Sequence, residues 1–470
     1  MTAIVKQLLW KEFQELKWGT LAATVIILVL PVSLAFRDVN AALLGVLPDL
    51  WLYSILVAVF LGMRAAAGER TGRAASFLAA LPVSHRLLGT IRLGSMCLAS
   101  MAPLGALFIV ALLLNARADE NSRTSLLVLA AMFLLAQVGT ILCLAIASRA
   151  GLGQPTEIRA AFAGFVAILV TSVLGLTPVL VIAELIQRQL GAELEMLYWI
   201  GGIFLIGAIL LISSVSVFIA RYSLALGMHV ESGFKRWWAF NWKPSVLSPP
   251  LSALVGKAVR EMGLLGLGVI VVSLFLSCVA GALGITGTNQ RLSVVDSLTR
   301  ALPYILLMSG FVLALLVGVG AVIGDVEQGV NTFWRSRPIS PRAWYWTKYG
   351  VGLATMFLAV EIPSLLYVGS NTGHLAGNRG LFLWLLMWNV TFTFALTATC
   401  LVRKPGYAAI LAFGAVHLLY ALVDGTFDLL TPGGQGPPAP LAIIVPVFVA
   451  AFVISTVVGE WAAVNDVSAT

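Results

Sequence analysis

Charge is scarce in this chain. Asp, Glu, Lys and Arg make up 11% of its 470 residues against 60% hydrophobic, and the mean hydropathy is +0.98. A soluble domain carries about 25% charged residues and cannot hide so much apolar surface. The solvent for most of this chain is therefore lipid. Cysteine is nearly absent. Cys97, Cys143, Cys278 and Cys400 all sit in apolar stretches without disulfide or metal spacing, so they read as small buried hydrophobes. No Gly-x-x-x-x-Gly-Lys-(Ser/Thr) occurs, and Gly256-Lys257 lacks both the upstream Gly and the following hydroxyl. That excludes a P-loop nucleotide site. No paired carboxylates, metal cluster or nucleophile triad supports intramembrane catalysis.

What is present is a series of apolar stretches. Cut at about 20 residues, the length that crosses a hydrocarbon core, they predict an all-α polytopic fold of about twelve spans. The spans begin near Gly19, Ala42, Thr90, Ser125, Arg159, Met196, Met262, Ala301, Lys348, Gly380, Tyr407 and Pro440. The first apolar run follows a charged segment and lacks a small-residue cleavage site, so no cleaved signal peptide is expected. With the N-terminus inside, only Arg37, Arg117, Arg123, Arg188, Arg291, Arg300 and Arg379 of the 29 basic residues fall outside. The inner side retains positive charge, so both termini are expected to be cytoplasmic in a cell inner membrane. The net charge of +8 then reflects topology and attraction to anionic lipid heads, not a nucleic-acid partner.

The chain divides into residues 1–224, a linker at 225–250 and residues 251–470. The linker carries Trp237, Trp238 and Trp242 beside Lys235, Arg236 and Lys243, a mixture suited to the headgroup layer. An even number of spans in each half makes any repeat parallel, about an axis along the membrane normal. Each half opens with a candidate interfacial helix. In the first, Val5, Leu9, Phe13 and Leu16 recur at helical spacing against Lys6, Gln7, Lys11, Gln14 and Lys17, with Trp10 and Trp18 as anchors. The second, Leu251 to Glu261, is weaker, although Lys257, Arg260 and Glu261 echo Lys11 and Glu12.

Residues 68–94 and 324–350 are two copies of one pattern. At a constant offset they pair Gly68 with Gly324, Glu69 with Asp325, Ser76 with Thr332, Phe77 with Phe333 and Pro82 with Pro338. The pairing continues through Val83 and Ile339, Ser84 and Ser340, Arg86 and Arg342, Arg92 and Lys348, and Gly94 and Gly350. Any polytopic protein has solvated basic loops, but ordinary loops diverge freely. Each copy joins the second to the third span of its half. The pattern predicts a short cytoplasmic helix, a break at Pro82 or Pro338, and a new helix capped by Ser84 or Ser340. The copies also differ, with Arg335 and Arg337 standing where Ala79 and Leu81 stand in the first.

This acid–Gly–Phe-x-x-x-x-Pro-(Val/Ile)-Ser-x-Arg loop resembles that of ABC transporter permeases of the type-2 exporter class. The interfacial helix and the six-span unit resemble them too. The likeness covers essentially the whole chain, twice, and the fusion of two units departs from the usual single unit per chain. It implies a permease driven by a separate ABC ATPase chain, in two copies, which would use ATP and Mg; this chain would bind no cofactor. The loops would seat on the ATPase through Glu69, Phe77, Pro82, Ser84 and Arg86 in one copy and Asp325, Phe333, Pro338, Ser340 and Arg342 in the other. Trp10, Lys11, Phe13 and Trp18 would belong to a connecting helix. The substrate, expected to be small and hydrophobic or amphipathic, is not written in the sequence, and lipid, drug, peptide and polysaccharide all stay open.

Two residues stand out within the spans. Glu361 lies mid-span before Pro363. An ionised acid at that depth costs about 2.5–3.5 kcal/mol on insertion scales. It reads either as part of a substrate pathway or as a polar pair with His417 or Asn389. His417 has no second ligand at helical spacing, which argues against metal. Gly320 and Gly324 form a Gly-x-x-x-Gly suited to close helix packing. Two other readings compete. Glu69-Arg70-Thr71-Gly72-Arg73 resembles the acid-Arg-x-Gly-Arg loop of major facilitator transporters, but the second copy, Asp325-Val326-Glu327-Gln328-Gly329, does not. A membrane scaffold without transport is the other.

Overall fold

The computed structural model describes residues 2–35, 39–71, 78, 83–118, 123–154, 157–171, 192–226, 249–282, 294–326, 339–366, 379–402, 404–430 and 441–465. Among the described residues every element of secondary structure is a helix. The first six helices are α1 (Thr2–Ala35), α2 (Val39–Thr71), α3 (His85–Arg117), α4 (Leu126–Gly151), α5 (157–171) and α6 (Ala192–Ala220). The last six are α7 (Pro249–Ala282), α8 (Val294–Val326), α9 (Pro341–Met356), α10 (Arg379–Val402), α11 (Pro405–Leu430) and α12 (Leu441–Asn465). α9 continues through a π turn at Phe357–Glu361 as far as Leu366. The linker tryptophans lie outside the described residues.

Six helices among the described residues are long and apolar enough to cross a bilayer: α3, α4, α9 with its extension, α10, α11 and α12. Tyr53–Gly68, Phe204–Ala220 and Ser309–Ile323 are shorter apolar stretches on α2, α6 and α8. Leu98, Ile109 and Leu113 on α3, Leu127 and Leu134 on α4, and Val453, Ile454 and Val457 on α12 are exposed. Water would penalise such stripes, whereas lipid accepts them. This is the make-up of a multi-pass membrane protein.

The N-terminal segment departs from expectation. α1 runs unbroken through Gly19 as one helix of 34 residues, with no turn between an interfacial part and a span. α7 likewise carries Leu251 to Glu261 without a break. The physical reason is that no proline occurs from Thr2 to Leu30, and one glycine costs a helix only about 1 kcal/mol. Gly19 moreover lies against the ring of Tyr407, where a side chain would collide.

In the first six helices α1 packs on α2 and α3, α2 on α4, and α4 on α6. In the last six α7 packs on α8 and α9, α8 on α10, and α10 on α12. The fifth helix of each set crosses to the other. α11 lies along α1, with Gly414 against Ile26. α5 meets α7 and α8, with Gly268 against Phe162 and Gly320 against Ile158. The Gly320 contact is the close approach that the Gly-x-x-x-Gly spacing predicts. The middle of α8 from Phe311 to Val317 is buried and forms the centre of the core with Trp388 and Phe392 of α10.

Candidate functional site

The repeated loops leave α2 and α8 and enter α3 and α9. Phe77, Pro82, Phe333 and Pro338 lie outside the described residues, as do the short helices expected before the prolines, except for Leu78, which is helical and buried. Glu69 falls in the last turns of α2. Both predicted N-caps are formed. Ser84 Oγ accepts from Leu87 N–H at 3.3 Å, and Ser340 Oγ accepts from Ala343 N–H at 3.2 Å. Each hydroxyl satisfies one of the amides that a helix start leaves unpaired. Pro341 adds a preset φ at the first turn of α9. Arg86 is exposed just after the first cap. Arg342 is 75% exposed and keeps its Nε 3.1 Å from Glu460 of α12.

At the ends of the helices that enter and leave each loop lies a charged junction that ties three helices together. In the first, Arg92 of α3 donates from Nη1 to both carboxylate oxygens of Glu12 on α1, each at 2.5 Å. Its Nη2 donates to the Arg64 carbonyl of α2 at 3.2 Å. Arg64 in turn donates to Glu15 at 2.8 Å. A side chain at Gly68 would crowd Arg64 Cγ at 3.2 Å and the Arg92 guanidinium at 3.3 Å, so this glycine makes room for the junction. Tyr407 of α11 bonds through its hydroxyl to the Glu15 carbonyl, and its ring stands 5.7 Å from the Arg64 guanidinium.

The second junction uses different residues. Lys348 of α9 lies 3.3 Å from Glu261 of α7 and 3.1 Å from Asp325 of α8. Lys257 of α7 also bonds to Asp325, and Trp344 Nε1 donates to it at 3.0 Å. Lys348 and Asp325 are about as buried as charged side chains become, at 1% and 2% exposed. The acid of the second motif copy is thus engaged inside the chain. Burial alone would push the Asp325 carboxyl up, but Lys348 and Lys257 outweigh it and hold the pKa below its ordinary value. Glu15 behaves alike: burial raises it, and Arg64, Lys11 and Arg92 bring it below the usual carboxylate value.

These residues stand near the starts of α1, α3, α7 and α9 and near the ends of α2 and α8. One end of the bundle therefore gathers both junctions and both loop entries. Sequence pairing found Arg92 and Lys348 but not what they face. Glu12 and Glu261 were visible only as an echo between two charged segments. Arg64 and Glu15 carried no signal beyond charge at helical spacing.

Trp10, Phe13 and Trp18 are exposed on α1, while Leu8, Glu12 and Leu16 are buried on its other side. Trp10 and Phe13 stack at 5.8 Å, and Lys17 Nζ lies 5.6 Å from the Trp18 ring. Lys11 lies 3.5 Å from Glu15. Exposed rings beside lysines suit the headgroup layer.

Glu361 sits in the π turn of α9 and accepts from Asn389 Nδ2 of α10 at 2.7 Å. Of the two partners open in the sequence, the structure selects Asn389. His417 instead bonds through Nδ1 to the Phe413 carbonyl at 2.8 Å, and its ring lies against Phe413 and Phe311. Among the described residues no three His, Cys, Asp or Glu are grouped as metal ligands would be.

No family model matches the chain, and no curated protein or solved structure matches it.

Proposed function

We propose that the chain is the membrane permease of an ATP-driven exporter, built as two parallel six-span units and driven by a separate ABC ATPase chain. The observation that carries this reading is the pair of charged junctions. Glu12 with Arg92, and Glu261 with Lys348, couple the first helix of each set to the third, at the end of the bundle where α2 and α8 enter the two loops. A loop pushed by a motor needs such a junction. It converts movement of the loop into movement of three helices as one body, because the buried pairs Arg92–Glu12 and Lys348–Asp325 resist separation. The reciprocal crossing of α5 and α11 supports the second half of the reading. Each set lends its fifth helix to the other, as two units related by an axis along the membrane normal would. On this reading the termini and loops face the cytoplasm of a cell inner membrane, with twelve spans in all.

Arg86 and Arg342 are the side chains offered to the ATPase, Glu69 and Asp325 open the two loops, and Asp325 supports its loop from within. The cargo is a small apolar or amphipathic molecule reached through the bilayer. The test is co-purification in detergent with a candidate ATPase after Arg86→Glu and Arg342→Glu together. Glu460→Arg is added in a parallel variant, so that loss of the Arg342–Glu460 pair is restored. Both variants should insert normally and lose the ATPase. Undiminished co-purification would remove the reading.

A further inference from the structure

We propose that Glu361 is an intramembrane proton-binding site whose carboxyl carries a proton at neutral pH. It is one of three buried acids among the described residues, at 9% exposed. The other acids near it in burial are matched by bases. Glu12 faces Arg92, and Asp325 faces Lys257 and Lys348. Glu361 has no ion-pair partner among the described residues. Its one bonded neighbour among the described residues is neutral: Asn389 Nδ2, which also donates to the Leu385 carbonyl at 2.9 Å. An amide can satisfy one carboxylate oxygen but supplies no charge. A buried acid without a counter-charge takes up a proton instead.

The surroundings agree. Lys257, Arg260 and Glu261 on α7, Asp325 on α8 and Glu460 on α12 all belong to the charged end of the bundle. Lys348, on the same helix as Glu361, is about 20 Å away along the axis at 1.5 Å per residue. Asp296 and Arg300 lie at the other end of α8, and α10 offers no acid or base between Leu381 and Val402. Phe357 and Leu358, in the same turn, are exposed where lipid would lie.

The backbone is also specialised here. Ile362 N–H bonds to the Phe357 carbonyl, five residues back, which widens the helix just before Pro363. Pro363 has no N–H and its ring crowds the preceding turn, so the wider turn accommodates it. Such turns are frequent at functional sites. Binding adds one proton to the carboxylate, and release leaves one negative charge beside Asn389. The site does not depend on which motor drives the protein, and Gly105, its counterpart in the first half, cannot share the role.

The experiment uses the full chain in lipid vesicles. An infrared difference spectrum of wild type minus Glu361→Gln at neutral pH should contain the carbonyl stretch of a protonated carboxyl. A carboxylate band lost in its place would overturn the proposal. Should Glu361→Gln fail to insert, the wild type decides through dicyclohexylcarbodiimide, an apolar reagent that modifies protonated carboxyls. An adduct on the peptide bearing Glu361, declining as pH rises, is the expected result. An unmodified peptide there would sink the idea.

Discussion

Arg92 and Glu12 lie 80 residues apart in the chain, yet the guanidinium holds both oxygens of the carboxylate with the two side chains 3% and 7% exposed. A charge taken that far out of water is tolerated only when its partner comes with it. The contact fixes the start of the third helix against the first.

Arg92→Met should leave Glu12 buried without a counter-charge and lower stability by about 3–5 kcal/mol. Adding Glu12→Gln should recover more than half of that loss. Thermal unfolding of the detergent-solubilised protein checks both. Equal stability of Arg92→Met and wild type would show that the pair contributes nothing.

The second junction predicts a pH dependence. The folded pKa of Asp325 lies below its ordinary value of 3.8, because Lys348 and Lys257 favour the charged form. Its contribution to stability is fully present above that ordinary value and is lost as pH falls through the lowered one. Wild type should therefore lose stability on acidification below about pH 4, the usual carboxylate range. Asp325→Asn should be less stable at neutral pH and show a shallower acid limb. Denaturation midpoints across that range supply the measurement.

Gly414 meets Ile26 where α11 crosses α1. Gly414→Val should overpack that crossing at a cost of about 1–3 kcal/mol. Gly94→Val, at a glycine with open space around it, should cost less than half as much. Matching losses at the two sites would mean that the crossing is not tight.

The two loop entries depend on their caps. Ser84→Ala and Ser340→Ala should each cost about 1 kcal/mol, while Asp at either position should restore the cap. Amide hydrogen exchange at Leu87 and Ala343, the residues bonded to the cap hydroxyls, should quicken in the Ala variants alone.

Part of this site was legible in one dimension. Ser84 and Ser340 announced their caps because capping is local: the donor is three residues ahead of the acceptor. Glu361 announced itself as an acid in an apolar run, and its partner Asn389 could be narrowed to one of two. The unbroken course of α1 was not legible. Charge at its start suggested a turn onto the membrane surface, but Gly19 is packed by a ring of Tyr407, nearly the whole chain away.

The sequence alone determined that this chain is helical and has the apolar make-up of a membrane protein. Each follows from composition or from spacing within a few tens of residues, where hydrophobicity and local hydrogen bonding act. The tertiary structure alone decided that Glu12 belongs to Arg92, that Asp325 turns inward to two lysines, and that α5 and α11 cross between the two sets of helices. Those outcomes rest on which charges are desolvated together and which helices meet at a glycine, and neither is a property of neighbouring residues.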